Sequence, residues 1–274
     1  MANLYVQALH VHPVKSVAGT APDEVAVEPW GLSGDRRWAL VDAEGTVLTQ
    51  RQQPRLALAH ARPLGGGGVA LGAPGMADLV VEVPEPGPLE PVVLFGKKIE
   101  AVVAAGAAAD WFSAYLGTGV RLVHMDDPAV RRPVDPDYAR PGETVSLADA
   151  YPVLLTTLAS LDALNSLIAQ GDHPEEGPLP MNRFRPNVVV AGAQPWAEDG
   201  WRRIAIGDAV FRGVRECGRC IVTTTDQRTA ERGKEPLKTL AKHRRIGKSL
   251  AFGRQLVPVR TGTVRVGDEV RVLE

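Results

Sequence analysis

Apolar and polar residues alternate along most of this chain. "RWALVDAEGTVLTQRQ", residues 37–52, alternates on both sides of Ala-Glu-Gly, a short loop whose glycine tolerates positive φ, and the spacing predicts a β-hairpin. "RRIAIGDAVFRGV" (202–214) and "TVRVGDEVRVLE" (263–274) each place an alternating strand on either side of Gly-Asp. Both predict hairpins, the second at the end of the sequence. "RPNVVVAG" (185–192) is a β-branched run of the kind that lies buried in a sheet.

Helical spacing is rarer. "AAADWFSAYLG" (107–117) gathers Trp111, Phe112, Tyr115 and Leu116 on one face and stops at Gly117, a suitable C′ residue. "TTLASLDALNSLIAQG" (156–171) aligns Leu161, Leu164, Leu167 and Ile168, with Thr157 or Ser160 available to cap its start. "KEPLKTLAKHRR" (234–245) predicts a third helix with Pro236 in its first turn and basic residues in its last. Many strands with three scattered helices predict a barrel-rich, predominantly β, α+β architecture.

Residues 63–95, with "PLGGGGVALGAPGM" and "PEPGPLEP", read as loops by composition. The stretch from 117 to 150 contains "MDDPAVRRPVDPDYARPGE", whose four prolines interrupt any periodicity. That suits an interdomain connection or surface loop better than an active-site lid. The expected division is residues 1–118 and residues 119–274.

A chain of 274 residues with 45% hydrophobic content is able to bury its own core, and a net charge of -1 argues against a general polyanion binder. No signal-peptide pattern opens it and no apolar run approaches about 18 residues, so it reads as soluble and cytoplasmic. Its wealth of Ala, Val, Arg, Gly and Pro is that of high-GC bacterial coding sequences. Two cysteines supply no disulfide framework.

Both cysteines fall in "VRECGRCIVTTTD" (214–226). Cys-x-x-Cys as a redox pair wants a following helix, and a β-branched run follows instead. As a zinc site it wants two more ligands, but the histidines are dispersed at 10, 12, 60, 124, 173 and 243, with only His10 and His12 sharing a strand face. Two small buried side chains without chemistry remain the bland reading. Between residues 202 and 260, however, fifteen Lys and Arg face five Asp and Glu, and Arg215 and Arg219 bracket the thiols in a way that favours thiolate. Such a site suits an anionic cofactor carrying a soft metal. Nucleic acid is the other use of the charge, yet neither interleaved aromatics nor a recognition helix accompanies it.

Taken in order, "HPVKS", "GLSGDRRWALVD", "LTQRQQPRLA", "NRFRPNVVV", "CGRCIVTTTD" with "KEPLKTL", and "VRVGDEVRVL" resemble the molybdenum cofactor sulfurase C-terminal (MOSC) proteins. The resemblance is to the amidoxime-reducing type and its bacterial counterparts, and it runs over nearly the whole chain. It implies a MOSC β-barrel over 119–274, packed with a smaller MOSC N-terminal β-barrel domain over 1–118. It also implies the molybdenum cofactor (Mo-molybdopterin), held through Cys220 as the metal ligand, with Cys217 beside the metal in an open role. The positions matching cofactor contacts are Lys15, Ser16, Arg51, Arg185 and Arg219, with weaker matches at Thr157, Asn182, Arg183 and Gly218. A family-level association with pyridoxal phosphate comes with the resemblance and singles out no residue.

The activity implied is removal of oxygen from N-hydroxylated compounds such as hydroxylamines, amidoximes and N-hydroxylated bases, with Asp226 either handling protons or capping a turn. The alternative is a cofactor carrier or sulfur-transfer accessory without turnover. With no cysteines left for an iron–sulfur cluster, electrons are expected from a separate ferredoxin, flavoprotein or cytochrome. The chain is expected to act as a monomer, without a membrane anchor or nucleic acid. Where the family has Val-Asp-Pro after the cysteines this chain has "TTDQ", which alters the local turn but not the ligand.

Overall fold

The computed structural model describes residues 3–274. In chain order its strands begin with β1 (Tyr5–Leu9), β2 (Glu24–Glu28), β3 (Gly31–Leu32), β4 (Trp38–Val41), β5 (His60–Pro63), β6 (Val69–Gly72) and β7 (Leu79–Val81). The hairpin β8 (Leu89–Leu94) and β9 (Lys97–Val103) leads to helix α1 (Gly106–Leu116), β10 (Arg121–His124) and the one-turn α2 (Pro128–Arg131). Next come β11 (Val153–Thr157), α3 (Leu158–Ala169), β12 (Val188–Ala191), β13 (Arg203–Ile206) and β14 (Ala209–Gly218). The last elements are α4 (Leu237–His243), β15 (Arg245–Ile246), β16 (Ser249–Arg260), β17 (Gly262–Arg265) and β18 (Val270–Val272). The architecture is predominantly β, as its alternation predicts.

The largest sheet runs β1-β12-β11-β16-β14-β13-β18, with β15 appended to β16. It curls shut. Tyr5 bridges Glu269, Val6 N–H donates to Asp268 O at 2.9 Å, and Gly267 N–H donates to Val6 O at 2.8 Å. The enclosed core stacks Val6, Leu9, Val153, Leu155, Val188, Val190, Ile204, Phe211 and Leu256, all fully buried. A second unit joins β4, β8, β9 and β10 in one sheet and β5, β6 and β7 in another, over a core of Trp38, Leu40, Leu56, Leu71, Phe112 and Leu122.

Pairing crosses the division at 118/119 in both directions. β1 sits in the large barrel between β12 and the turn before β18, and β2 pairs with β17, so the first 32 residues lie mainly with the C-terminal half. β10, beyond residue 118, pairs with β4 and β9 in the N-terminal unit.

Three local expectations need correction. The terminal alternating segment is no hairpin: β17 pairs with β2 and β18 with β13, because the turn between them spends its backbone groups on β1 and Asp23. Residues 63–95 contain β6, β7 and β8, whose Val69, Leu71, Val81 and Val92 are buried despite the glycines and prolines around them. Pro236 stands at the N-cap of α4 and not within its first turn.

The other helices follow the pattern. α1 buries Trp111, Phe112, Tyr115 and Leu116 and ends on left-handed Gly117. α3 is capped by the Thr157 hydroxyl, which accepts from Ser160 N–H at 3.1 Å, and it leaves Leu167 only half-buried. Phe211→Ala is expected to cost about 3–5 kcal/mol of stability through the cavity it leaves. Val272→Ala, on a side chain 43% exposed, should stay within about 0.5 kcal/mol. Denaturant titration of the two variants checks the contrast.

Candidate functional site

The two units meet over a cavity of about 330 Å³. Six cations line it, Lys15, Arg36, Arg51, Arg185, Arg215 and Arg219, against three carboxylates, Asp135, Asp149 and Glu216. Ser16, Gly218, Cys217 and Cys220 lie in the same wall. The sequence-predicted Lys15, Ser16, Arg51, Arg185, Gly218, Arg219 and Cys220 are thus brought together from four separate stretches of chain.

Cys217 is the penultimate residue of the long strand β14 and Cys220 stands at the start of a short 3-10 turn, Ile221–Thr224. The β-branched run forms that turn because its hydroxyls bond back along the chain: Thr223 Oγ1 donates to Cys220 O and Thr224 Oγ1 to Ile221 O, each at 2.8 Å. The two thiols differ. Cys217 is buried, and its Sγ accepts from Arg219 Nη1 at 2.7 Å and Gln255 Nε2 at 3.0 Å. Burial pushes its thiol up against the opposing pull of Arg219, which reverses the expectation of a thiolate at this position. Cys220 is half-exposed to the cavity, and Arg51 Nη2 donates to its Sγ at 3.2 Å.

Arg51 reaches Cys220 because the loop that carries it is clamped from the other unit. Gln50 and Gln227 exchange amide hydrogen bonds at 3.1 Å each, Gln50 Nε2 donates to Ser16 O at 2.8 Å, and Arg232 Nη2 donates to Arg51 O at 2.8 Å. Arg219 is held by Phe184 O at 2.7 Å in addition to Cys217. Its buried Nε has no partner.

Lys15 is almost wholly buried, with Nζ donating to Leu147 O at 2.9 Å and to the Asp149 carboxylate. Burial lowers its pKa to about 8, with Asp149 opposing the shift. Asp149 is exposed on the cavity side, and the cations Lys15, Arg51 and Arg36 around it hold its carboxyl well below the usual range. Burial and the neighbouring Arg36 together push the Arg185 guanidinium down to about 9. Three cavity residues, Ser16, Arg36 and Arg185, hold left-handed backbone at φ 68°, 49° and 52°. Such conformations cost of order 1 kcal/mol each for side chains larger than glycine.

Four expected residues stand outside the cavity lining. Thr157 is fully buried and shares Glu198 Oε2 with Ser160, at 3.2 and 2.9 Å. Arg183 spans to Thr224 O and Asp226 Oδ2, both at 2.9 Å. Asp226 accepts from Arg228 N–H at 2.7 Å, the turn-capping alternative, and Asn182 is exposed. Of their immediate chain neighbours only Phe184, beside Arg183, lines the cavity.

Sequence reasoning missed Asp149, Tyr151 and Gln255, which sit on no motif, and Arg36, which lies within "GLSGDRRWALVD" but was not singled out there. Among the described residues, the one His/Asp/Glu/Cys group close enough to share a metal is His173, Glu175 and Glu176. It includes neither cysteine, and Glu176 already accepts from Lys234 and Glu235 N–H.

The MOSC N-terminal beta barrel domain matches residues 3–119 and the MOSC domain residues 142–271. The chain is 35% identical to Homo sapiens "Mitochondrial amidoxime-reducing component 1" over 286 residues, covering 98% of this chain and 82% of that protein. The Mus musculus protein of the same name is 33% identical, with coverage of 98% and 82%. "Molybdenum cofactor sulfurase" of Oryza sativa subsp. japonica is 28% identical over 92% of this chain and 32% of its own length.

The buried ammonium makes stability depend on pH. Between about pH 8 and 10.5 the folded chain has released the Lys15 proton while the unfolded chain still holds it. Stability of the cofactor-free protein relative to Lys15→Met is therefore expected to rise through that window, by up to about 1.4 kcal/mol per pH unit. Denaturant unfolding of both proteins at stepped pH measures it. A constant gap would contradict the buried placement of Lys15.

Proposed function

This chain belongs to the MOSC family, in the form that carries the MOSC N-terminal β-barrel domain, and from that premise we propose that it is a molybdenum-cofactor-dependent oxidoreductase that reduces N-hydroxylated compounds. Electrons come from a separate redox protein. The observation that carries this reading is a half-exposed thiol, Cys220, set in a cavity whose six cations outnumber its carboxylates two to one.

The residues present fit such a group. A cavity with unbalanced positive charge, an orphaned buried Arg219 Nε and an Arg185 guanidinium crowded by Arg36 is stabilised by an anion. Gly218 is exposed on the wall, where an added Cβ would press to 3.2 Å from Ser249 Oγ. Cys220 offers one soft sulfur, suited to a metal whose other sulfurs arrive with the cofactor. Arg185, Arg219 and Ser16 would hold the phosphate and pterin edges, joined by the third Nζ donor of Lys15 that Leu147 and Asp149 leave free.

When bound, the cofactor supplies a molybdenum centre able to accept an oxygen atom from an N–O bond in a two-electron reduction. The protein's own contribution is orientation and protons. Arg51 Nη2 fixes the Cys220 sulfur and draws charge from it. Lys15 Nζ keeps a proton at neutral pH yet yields it more readily than an ordinary lysine, and its partner Asp149 opens to the cavity. This pair would take the proton-handling role considered for Asp226, relaying the proton of the substrate hydroxyl to the nitrogen as the N–O bond breaks.

Protein from a cofactor-competent host is expected to contain about one molybdenum per chain. Cys220→Ser should lose it, whereas Cys217→Ser should retain it. Elemental analysis paired with hydroxylamine reduction by dithionite-reduced viologen reads metal and turnover together. Normal molybdenum without reduction would favour the carrier or sulfur-transfer role. In the metal-loaded enzyme, Asp149→Asn should lower kcat by about 10²-fold or more, and Asp226→Asn should chiefly lower stability.

A further inference from the structure

Beside the charged cavity lies a second groove of about 290 Å³, walled by Val47, Thr49, Gln52, Leu94, Phe95 and Arg51. Arg51 belongs to both spaces and places Nη2 at 3.2 Å from Cys220 Sγ. A molecule seated in the groove is one side chain away from that sulfur.

Phe95 is the unusual member. It caps the β8–β9 hairpin, where Leu94 pairs with Lys97 and both turn residues, Phe95 and Gly96, hold positive φ at 51° and 78°. Asn-Gly suits such a turn, and a bulky aromatic in the left-handed region is strained. The side chain is also 52% exposed, so burial does not offset the strain. Its ring carries two site cations, with Arg51 Cζ 4.9 Å and Lys15 Nζ 5.3 Å from the centroid. A strained, exposed aromatic at the edge of a reactive cavity marks a binding position.

The groove's lining is otherwise uncharged: apolar Val47 and Leu94, the polar Thr49 and Gln52, and one fixed cation in Arg51. Such a lining favours flat, neutral, conjugated groups, which stack on an aromatic face and a guanidinium plane, and it disfavours cationic ones.

We propose that this groove is the subsite for a neutral planar aryl group of the substrate, which stacks on Phe95 and Arg51 while its N–O end passes Arg51 toward Cys220. The assignment rests on the N-hydroxylated substrate class proposed above. It makes aryl hydroxylamines, aryl amidoximes and N-hydroxylated heteroaromatic bases better substrates than small aliphatic ones.

Two measurements on the full chain separate this subsite from the reductase function. In the metal-loaded enzyme, the ratio of KM for acetamidoxime to KM for benzamidoxime is expected to fall roughly threefold to tenfold in Phe95→Ala, and to recover in Phe95→Tyr. Equal changes for both substrates would mean that Phe95 only supports Arg51 and Lys15, and would overturn the proposal. In the cofactor-free chain, benzamide serves as a neutral aryl probe that cannot be reduced. Saturation-transfer NMR should detect its binding to the unaltered chain and to Phe95→Tyr, with loss in Phe95→Ala. Phe95-dependent binding of benzamide without turnover of either amidoxime would uphold the subsite and reject the reductase function. Absence of benzamide binding to the unaltered chain would overturn the subsite.

Discussion

The large barrel closes only because β1 fits between β12 and the turn that leads into β18. Every backbone group along that seam has to find a partner, since unpaired amides beside an apolar core are costly. Val6 supplies both bonds to the 267–268 turn while Tyr5 to Leu9 run antiparallel to β12. The chain leaving β1 then runs to Lys15 and Ser16, which line the same cavity as the end of β14 and the cysteines. The same seam consumes the terminal turn and so prevents the hairpin that residues 263–274 would otherwise form.

The cavity works against the stability of the fold that builds it. Cations crowd one another, Lys15 and Arg185 hold their charge against burial, and three lining residues adopt backbone that favours glycine. Packed hydrophobic clusters on both sides offset this, and the Gln50–Gln227 and Arg232 clamps prevent the units from relaxing apart. A bound anion would relieve the charge crowding, so occupancy and stability are linked.

The unequal cysteines show how position divides one motif into two chemistries. Cys217 lies on a strand facing inward, where burial outweighs Arg219 and keeps a neutral thiol as acceptor for two fixed donors. Cys220, three residues on, follows the break of the strand into a 3-10 turn and faces the cavity. Its neighbour Arg51 comes from the other unit, so the immediate surroundings of this sulfur exist only when both units are assembled.

Alternation was enough to place β4, β12, β13 and β14, and the apolar spacing with its caps was enough for α1 and α3, because these depend on neighbours within a few residues. The ordered motifs likewise identified Cys220, Arg51, Arg185 and Arg219 as candidates. The destinations of β1, β17 and β18 were not legible, nor were the strands hidden among glycines in residues 63–95, because pairing partners are chosen by closure of the whole barrel. Thr157, Arg183 and Asp226 sit in suggestive motifs yet form hydrogen bonds outside the cavity lining, while Asp149 and Phe95 belong to no conspicuous pattern. Local spacing and motif order are enough to specify a mostly β chain with one special thiol amid positive charge. Which side chains face that thiol follows from the folded arrangement, since convergence in space depends on long-range pairing that no local spacing encodes.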